Sequence, residues 1–151
     1  MKARLAASAA LALGIAIGGS GCAMITYQAT TEKYDPSDGV SADLGSLAIR
    51  NMLVVSEDGE EGNMVLSVTN SSTEDATLEL QVAGETVEVD VEAGQTVSPG
   101  AGDEEPILVE RLDAEVGGLV PVFLTTEDAE GREIGVPVLD GRLPEYEALV
   151  P

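Results

Sequence analysis

From residue 44 onward, apolar and polar side chains alternate in short runs, and Gly, Asn and Asp clusters interrupt them about every eight to twelve residues. A period of two sends successive side chains to opposite faces of a strand. Residues 76–84 put Leu78, Leu80 and Val82 on one face and Glu79 and Gln81 on the other. Residues 85–94 do the same, with Val87, Val89 and Val91 inward and Glu88, Asp90 and Glu92 outward. In 63–70, Met64, Leu66 and Val68 share a side, opposite Val65 and Ser67. Residues 44–56 predict a long strand or a bent pair, and further strands are expected in 106–114, 117–128 and 132–141. The short 95–100 run carries Pro99, which suggests an edge. Pro121 and Pro137 fall inside strand runs, where a missing N–H points to edges, bulges or strand switches. The tail, 142–151, has no clear period. Many short strands with one wet face, and no helical stripe after residue 22, predict an all-β fold, an antiparallel β-sandwich.

The N-terminus follows another pattern. Lys2 and Arg4 precede an apolar small-residue run, Leu5 to Gly19, and then Ser20-Gly21-Cys22. A basic start, a short apolar segment and small residues before a cut site describe a secretory signal. With cysteine after the small pair, the segment resembles the lipobox of bacterial lipoproteins, in which the cysteine sulfur accepts a diacylglyceryl group and the chain is cut before it. Gly19 departs from that pattern, which usually has Leu, Val or Ile there. Two acyl chains anchor stably, because each buried methylene contributes about 0.8 kcal/mol. Cleavage after Ala23 would instead release a soluble protein. A retained helix would need about 20 apolar residues. An incidental thiol is the remaining alternative. The expected organisation is a signal peptide over 1–21, a lipidated tether and turn over 22–43, and a β-sandwich over 44–151. Lipid attachment falls on Cys22, and the location is the extracytoplasmic face of the cell membrane.

Composition narrows the chemistry. The 151 residues suit one domain, with Lys plus Arg 7, Asp plus Glu 28 and a formal charge of −21. Removing 1–21 takes Lys2 and Arg4 and no acid, leaving −23. Such a charge repels nucleic acid, so no nucleic-acid partner is expected. It repels anionic membrane surfaces too, which leaves lipid on Cys22 as the membrane contact. With a single cysteine there is no intrachain disulfide. Aromatic residues are scarce (Phe123, Tyr27, Tyr34 and Tyr146, with no Trp), so stacking platforms for sugars or bases are poorly supplied.

The absence of histidine excludes Ser-His-Asp and Cys-His nucleophile systems and leaves zinc or copper poorly provided. A Ser-Lys pair would have to use Lys33, in the expected tether. Met24, Met52 and Met64 are soft donors for Cu(I), but Met52 and Met64 lie in apolar runs that favour the core. Calcium could use Asp35 and Asp38, or Glu57, Asp58, Glu60 and Glu61; neither set has EF-hand spacing, and solvated acidic turns are commoner. No catalytic residue, metal site or cofactor is assigned, and the chain is read as a non-enzyme.

Residues 34–70 carry Tyr34, Pro36, Gly39 and Val40, then Leu47, Ile49, Arg50, Asn51 and Leu53 to Val55, a charged turn, and a strand ending at Asn70. In these elements the chain resembles small actinobacterial cell-envelope lipoproteins, which are distantly similar to periplasmic copper chaperones of the PCu(A)C type. The resemblance implies an immunoglobulin-like or cupredoxin-like sandwich. Those chaperones bind copper through His and Met, so without His the activity does not carry over. Arg50 is expected to pair with an acid, and Tyr34 and Pro36 to fold the tether back. The expected function is a membrane-anchored binding or scaffolding module with an envelope protein partner, recognising through the 56–62 turn or the 98–105 segment. The alternative is an extracytoplasmic metal-ion protein handling calcium or copper.

Overall fold

A computed structural model of the chain describes residues 2–19 and 34–151. It divides into two compact units, Met1–Tyr34 and Asp35–Pro151. The described part of the first is helix α1, Lys2–Gly19, together with Tyr34. Among the described residues no helix is long and apolar enough to cross a membrane. Cys22, the expected lipid site, and Met24 lie outside the described residues.

The second unit is built of strands β1 (Val40–Leu44), β2 (Leu47–Val55), β3 (Gly62–Asn70), β4 (Ala76–Val82), β5 (Glu85–Val91), β6 (Thr96–Val97), β7 (Ile107–Val109), β8 (Leu119–Thr126) and β9 (Ala129–Leu139), and it closes with a 3-10 turn at Glu147–Leu149. The path of pairing runs β5-β4-β8-β9-β2-β3-β6, with β1 on β2 and β7 on β3. This is the expected β-sandwich, in a nearly closed mixed sheet. One junction is parallel: Val54 and Val55 of β2 meet Val138 and Leu139 of β9.

Pro137 marks that junction. Its partner Leu119 is the first residue of β8, and the next residue of β9 already pairs with β2. Pro121 lies one residue beyond the β4–β8 ladder, which ends at Val82 opposite Val122, so the missing N–H breaks no bond to β4.

The first strand begins just ahead of residue 44, the expected start of the sandwich. β1 already occupies Val40–Leu44, and Leu44 and Leu47 close a hairpin over Gly45, whose φ is 58°. The long segment 44–56 is therefore the turn and second strand of a pair. What fixes its shape is Asn51. Between Arg50 and Leu53, β2 advances three positions while β3 goes from Ser67 to Val65. The extra residue makes a β-bulge, and Asn51 takes φ 51°, a left-handed conformation that asparagine tolerates. Its Oδ1 accepts a hydrogen bond from Gly39 N at 3.1 Å. A Cβ on Gly39 would stand 2.5 Å from the Asn51 carbonyl carbon, so glycine is required there.

The bulge also changes which residues face inward. Leu47 and Ile49 point into the main core before it, and Met52 and Val54 after it. That core joins them to Met64, Leu66 and Val68 of β3 and to Leu78, Leu80, Val122, Leu124, Val136 and Val138 of the facing strands. Leu53, Val55 and Val65 turn to the other face, where Tyr146, Leu149 and Val150 of the tail cover them. Asn63 Nδ2 donates to Leu149 O at 3.0 Å and ties the tail down. The buried Asn70 donates through Nδ2 to Glu74 O at 2.7 Å and to Val91 O at 3.1 Å, joining the ends of β3 and β5.

Candidate functional site

The β2–β3 turn and the 111–115 loop meet at one end of the sandwich. Leu112 N donates to Glu60 O at 2.7 Å, and Ala114 N donates to Gly59 O at 3.1 Å. Gly59 allows the approach: it holds φ 83°, and a Cβ there would lie 1.9 Å from Ala114 O. Ser56, fully buried, donates its hydroxyl to Glu61 O and accepts from Gly59 N at 2.9 Å, so the turn is braced from within. Asp58 Oδ1 accepts from Glu60 N at 2.9 Å.

These two segments, the Ala83-Gly84 turn and the first residues of β8 enclose a groove of about 970 Å³. Its apolar lining is Leu112 and Val120, almost fully buried, with the exposed Leu119 and Pro121. Its rim is acidic: Asp58, Glu60, Asp113 and Glu115 are all exposed. Arg111 is the cation at the rim, 3.7 Å from Glu85. Ala83 and Asp113 hold positive φ, 50° and 44°, at the groove walls. An apolar lining with a charged rim suits a ligand that presents both kinds of surface.

The two acidic sets singled out for calcium do not converge. Asp38 accepts from Tyr146 OH at 2.7 Å. That bond lies beside the tail, and burial, followed by the Asp38 contact, pushes the Tyr146 hydroxyl pKa up to about 12. Glu57 faces a second depression with Asp140, Arg142 and Glu147, whereas Asp58 and Glu60 face the groove. Among the described residues no group of three or more His, Cys, Asp or Glu side chains is placed to hold a metal ion. Met52 and Met64 are fully buried in the core, which leaves neither thioether accessible to a copper ion.

Arg50 forms an ion pair with Asp43, Nη2 to Oδ1 at 2.6 Å, and Nη1 donates to Ala42 O at 3.1 Å and Ile49 O at 2.7 Å. It braces β1 against the bulge. Tyr34 is exposed. Of the two expected recognition segments, the 56–62 turn lines the groove. The 98–105 segment folds on itself instead: Ser98 N donates to Glu104 Oε2 at 2.7 Å, and Gly100 lies against Val65. Sequence reasoning missed the 111–115 loop, expected as strand, and the exposed row on β8. The second had a signal: residues 119–124, LVPVFL, are apolar on both faces of the strand.

No family model and no curated protein sequence matches the chain. Solved structures do match in shape. The apo PCuAC domain from PmoF1 superposes with TM-score 0.54 at 13% identity, covering 66% of this chain and 98% of that one. The copper-bound PCuAC domain from PmoF2 gives TM-score 0.52 at 14% identity, covering 67% and 98%. At these identities the likeness is one of fold: the chain has the β-sandwich of PCuAC domains, whereas its own side chains determine any chemistry.

Proposed function

We propose that the protein is an extracytoplasmic lipoprotein, anchored through lipid on Cys22, whose sandwich acts as a non-enzymatic binding module for a partner in the cell envelope. The observation that carries the recognition half is the groove between the 56–62 turn and the 111–115 loop: an apolar lining inside an acidic rim. Its lining holds no histidine and no cysteine. The anchoring half rests on the Ser20-Gly21-Cys22 sequence behind a basic, apolar start.

The test is intact mass spectrometry of the membrane fraction, beside a Cys22→Ser chain. An N-terminal acylated Cys22, absent from the variant, is the expected result. A mature chain starting after Ala23 without lipid refutes anchoring. A photo-crosslinker at Glu115 should capture a membrane-associated protein that a crosslinker at the distant Ser71 does not; equal capture from both refutes the groove as the recognition site.

The second reading is metal-ion handling, and the fold shared with the copper-bound PCuAC domain supports it. With Met52 and Met64 buried and no three acidic side chains converging among the described residues, its donors would be dispersed carboxylates, which suit a hard cation such as calcium rather than Cu(I). Calcium would then raise the melting temperature more than sodium at equal ionic strength, and equal shifts from the two salts would refute this reading.

A further inference from the structure

The groove does not end at its rim. Leu119 and Pro121, which line it, begin a row on the outer face of β8 that continues to Phe123. Their intervening neighbours Val120, Val122 and Leu124 fill the core, so the row faces away from it. Leu119 is 67% exposed and Phe123 38%. Phe123 is the chain's one phenylalanine, and it stands at the surface of a protein whose core is aliphatic. β9 leaves room for the row. A Cβ on Gly131 would be 2.6 Å from Phe123 Cζ, and one on Gly135 would be 3.2 Å from Leu119 Cδ1, so both side chains lie over glycine backbone.

Acids flank the Phe123 end of the row, whereas Leu119 and Pro121 face Pro137 and Gly135 of β9. Glu133 is paired with Phe123 on β9. On the other side, Glu79 of β4 stands directly opposite Glu88 of β5, and Gln81 pairs with Phe123. Like charges in direct register repel. Arg132 is the one cation in β4, β5, β8 or β9; it is exposed, and it pairs with the core-facing Leu124, whereas Glu133 pairs with Phe123. An apolar row with acids beside its Phe123 end and acids at the groove rim next to Leu119 complements a helix carrying a leucine stripe edged with lysines. From Leu119 to Phe123 the row spans about 13 Å at 3.3 Å per residue. The flanking strands lie about 5 and 10 Å aside, within reach of lysines on a helix about 10 Å wide.

We propose that the groove and the Leu119–Pro121–Phe123 row form one continuous docking surface for a basic amphipathic segment of a partner protein, which lays its apolar stripe along β8 and its lysines or arginines over Glu79, Glu88 and Glu133. This rests on the binding-module reading and names the surface and the partner chemistry.

The probe is an 18-residue Lys/Leu amphipathic peptide, with a Glu/Leu peptide of the same pattern as control. The full chain is held in phosphatidylcholine nanodiscs, and every comparison is between variants in the same discs, so lipid binding cancels. The Lys/Leu peptide should bind and slow amide exchange over 119–126, and the Glu/Leu peptide should not. Leu119→Ser with Phe123→Ser should weaken binding by at least about tenfold. Glu79→Gln, Glu88→Gln and Glu133→Gln together should flatten its salt dependence. The glutamine set removes no apolar contact and carries the test if the serine pair unfolds. Failure of the Lys/Leu peptide to bind, equal binding of both peptides, or binding unchanged in both variant sets overturns the proposal. Binding that responds only to Asp113→Asn in the groove overturns the β8 row and leaves the binding module standing.

Discussion

Asn51 offers the sharpest test of the fold, because one residue sets both the bulge and the inward face of half a strand. Alanine there must hold φ 51° without asparagine's tolerance for it, at about 1–2 kcal/mol. It also removes the Oδ1 that accepts from Gly39 N–H at a buried glycine, and an orphaned buried donor costs about 1–3 kcal/mol. Partial relaxation brings the expected total for Asn51→Ala to about 2–4 kcal/mol, or a melting temperature lower by roughly 8–16 °C. Asn51→Gly keeps the conformation and loses the acceptor, so it should cost less than alanine. Asn51→Asp keeps both and should stay within about 0.5 kcal/mol of the parent at neutral pH. Urea unfolding of the three variants, followed by far-ultraviolet circular dichroism with the slope checked for constancy, gives the order. A glycine variant as destabilised as alanine, or an alanine variant within about 0.5 kcal/mol of the parent, would refute the reasoning.

Three further outcomes are expected. Gly59→Ala should cost more than about 2 kcal/mol, since its Cβ would strike the Ala114 carbonyl, whereas Gly84→Ala, at φ 82° with nothing within 4 Å, should cost only the conformational part, about 1–2 kcal/mol; paired urea titrations separate the two. Tyr146 has a folded pKa raised from 10.0 to about 12, so its protonated form favours the native state; that contribution is whole below pH 10 and is lost as pH rises towards 12, and Tyr146→Phe should remove this pH dependence from unfolding measured between pH 9 and 12. Met52→Leu and Met64→Leu should each cost less than about 1.5 kcal/mol and leave Cu(I) titrations unchanged, because both thioethers are fully buried; a tenfold loss of Cu(I) affinity would place copper on them.

The alternation in 76–91 predicted β4 and β5 and their inward faces because both strands have one wet face, and Leu78, Leu80, Val82, Val89 and Val91 are all buried. Pro137 was legible as an edge, bulge or strand switch because a missing N–H is tolerated only where a ladder ends or is interrupted, and the structure places the switch there. What escaped was set by long-range contact. Residues 110–114 keep an apolar pattern, yet they leave the sheet after Val109 to bond to Gly59 and Glu60, about fifty positions earlier in the chain. Local periodicity carries no trace of that bond. The tail was opaque for the same reason: its apolar residues serve a face that the Asn51 bulge exposes, and one extra residue in β2 cannot be read from a period of two. Cys22, the clearest candidate residue in the sequence, belongs to the anchoring proposal and not to the sandwich.

The likeness to PCuAC domains is one of fold, so function has to be argued from this chain's own side chains. A sandwich of this shape presents loops at its ends and broad sheet faces at its sides, and side chains placed there decide what it binds. Here the methionines within the sandwich are buried in the core, and the chain has no histidine to replace them. The exposed positions hold acids, with the chain's one phenylalanine beside them on β8. A soft metal ion gains nothing from such a surface. On the proposed docking surface a cationic, partly apolar polypeptide would gain charge attraction at the acidic positions and burial along the row. The same physical contrast makes the test decisive: salt weakens the first contribution and leaves the second, so the affinity of the Lys/Leu peptide should fall with ionic strength in the parent chain and much less in the glutamine variant.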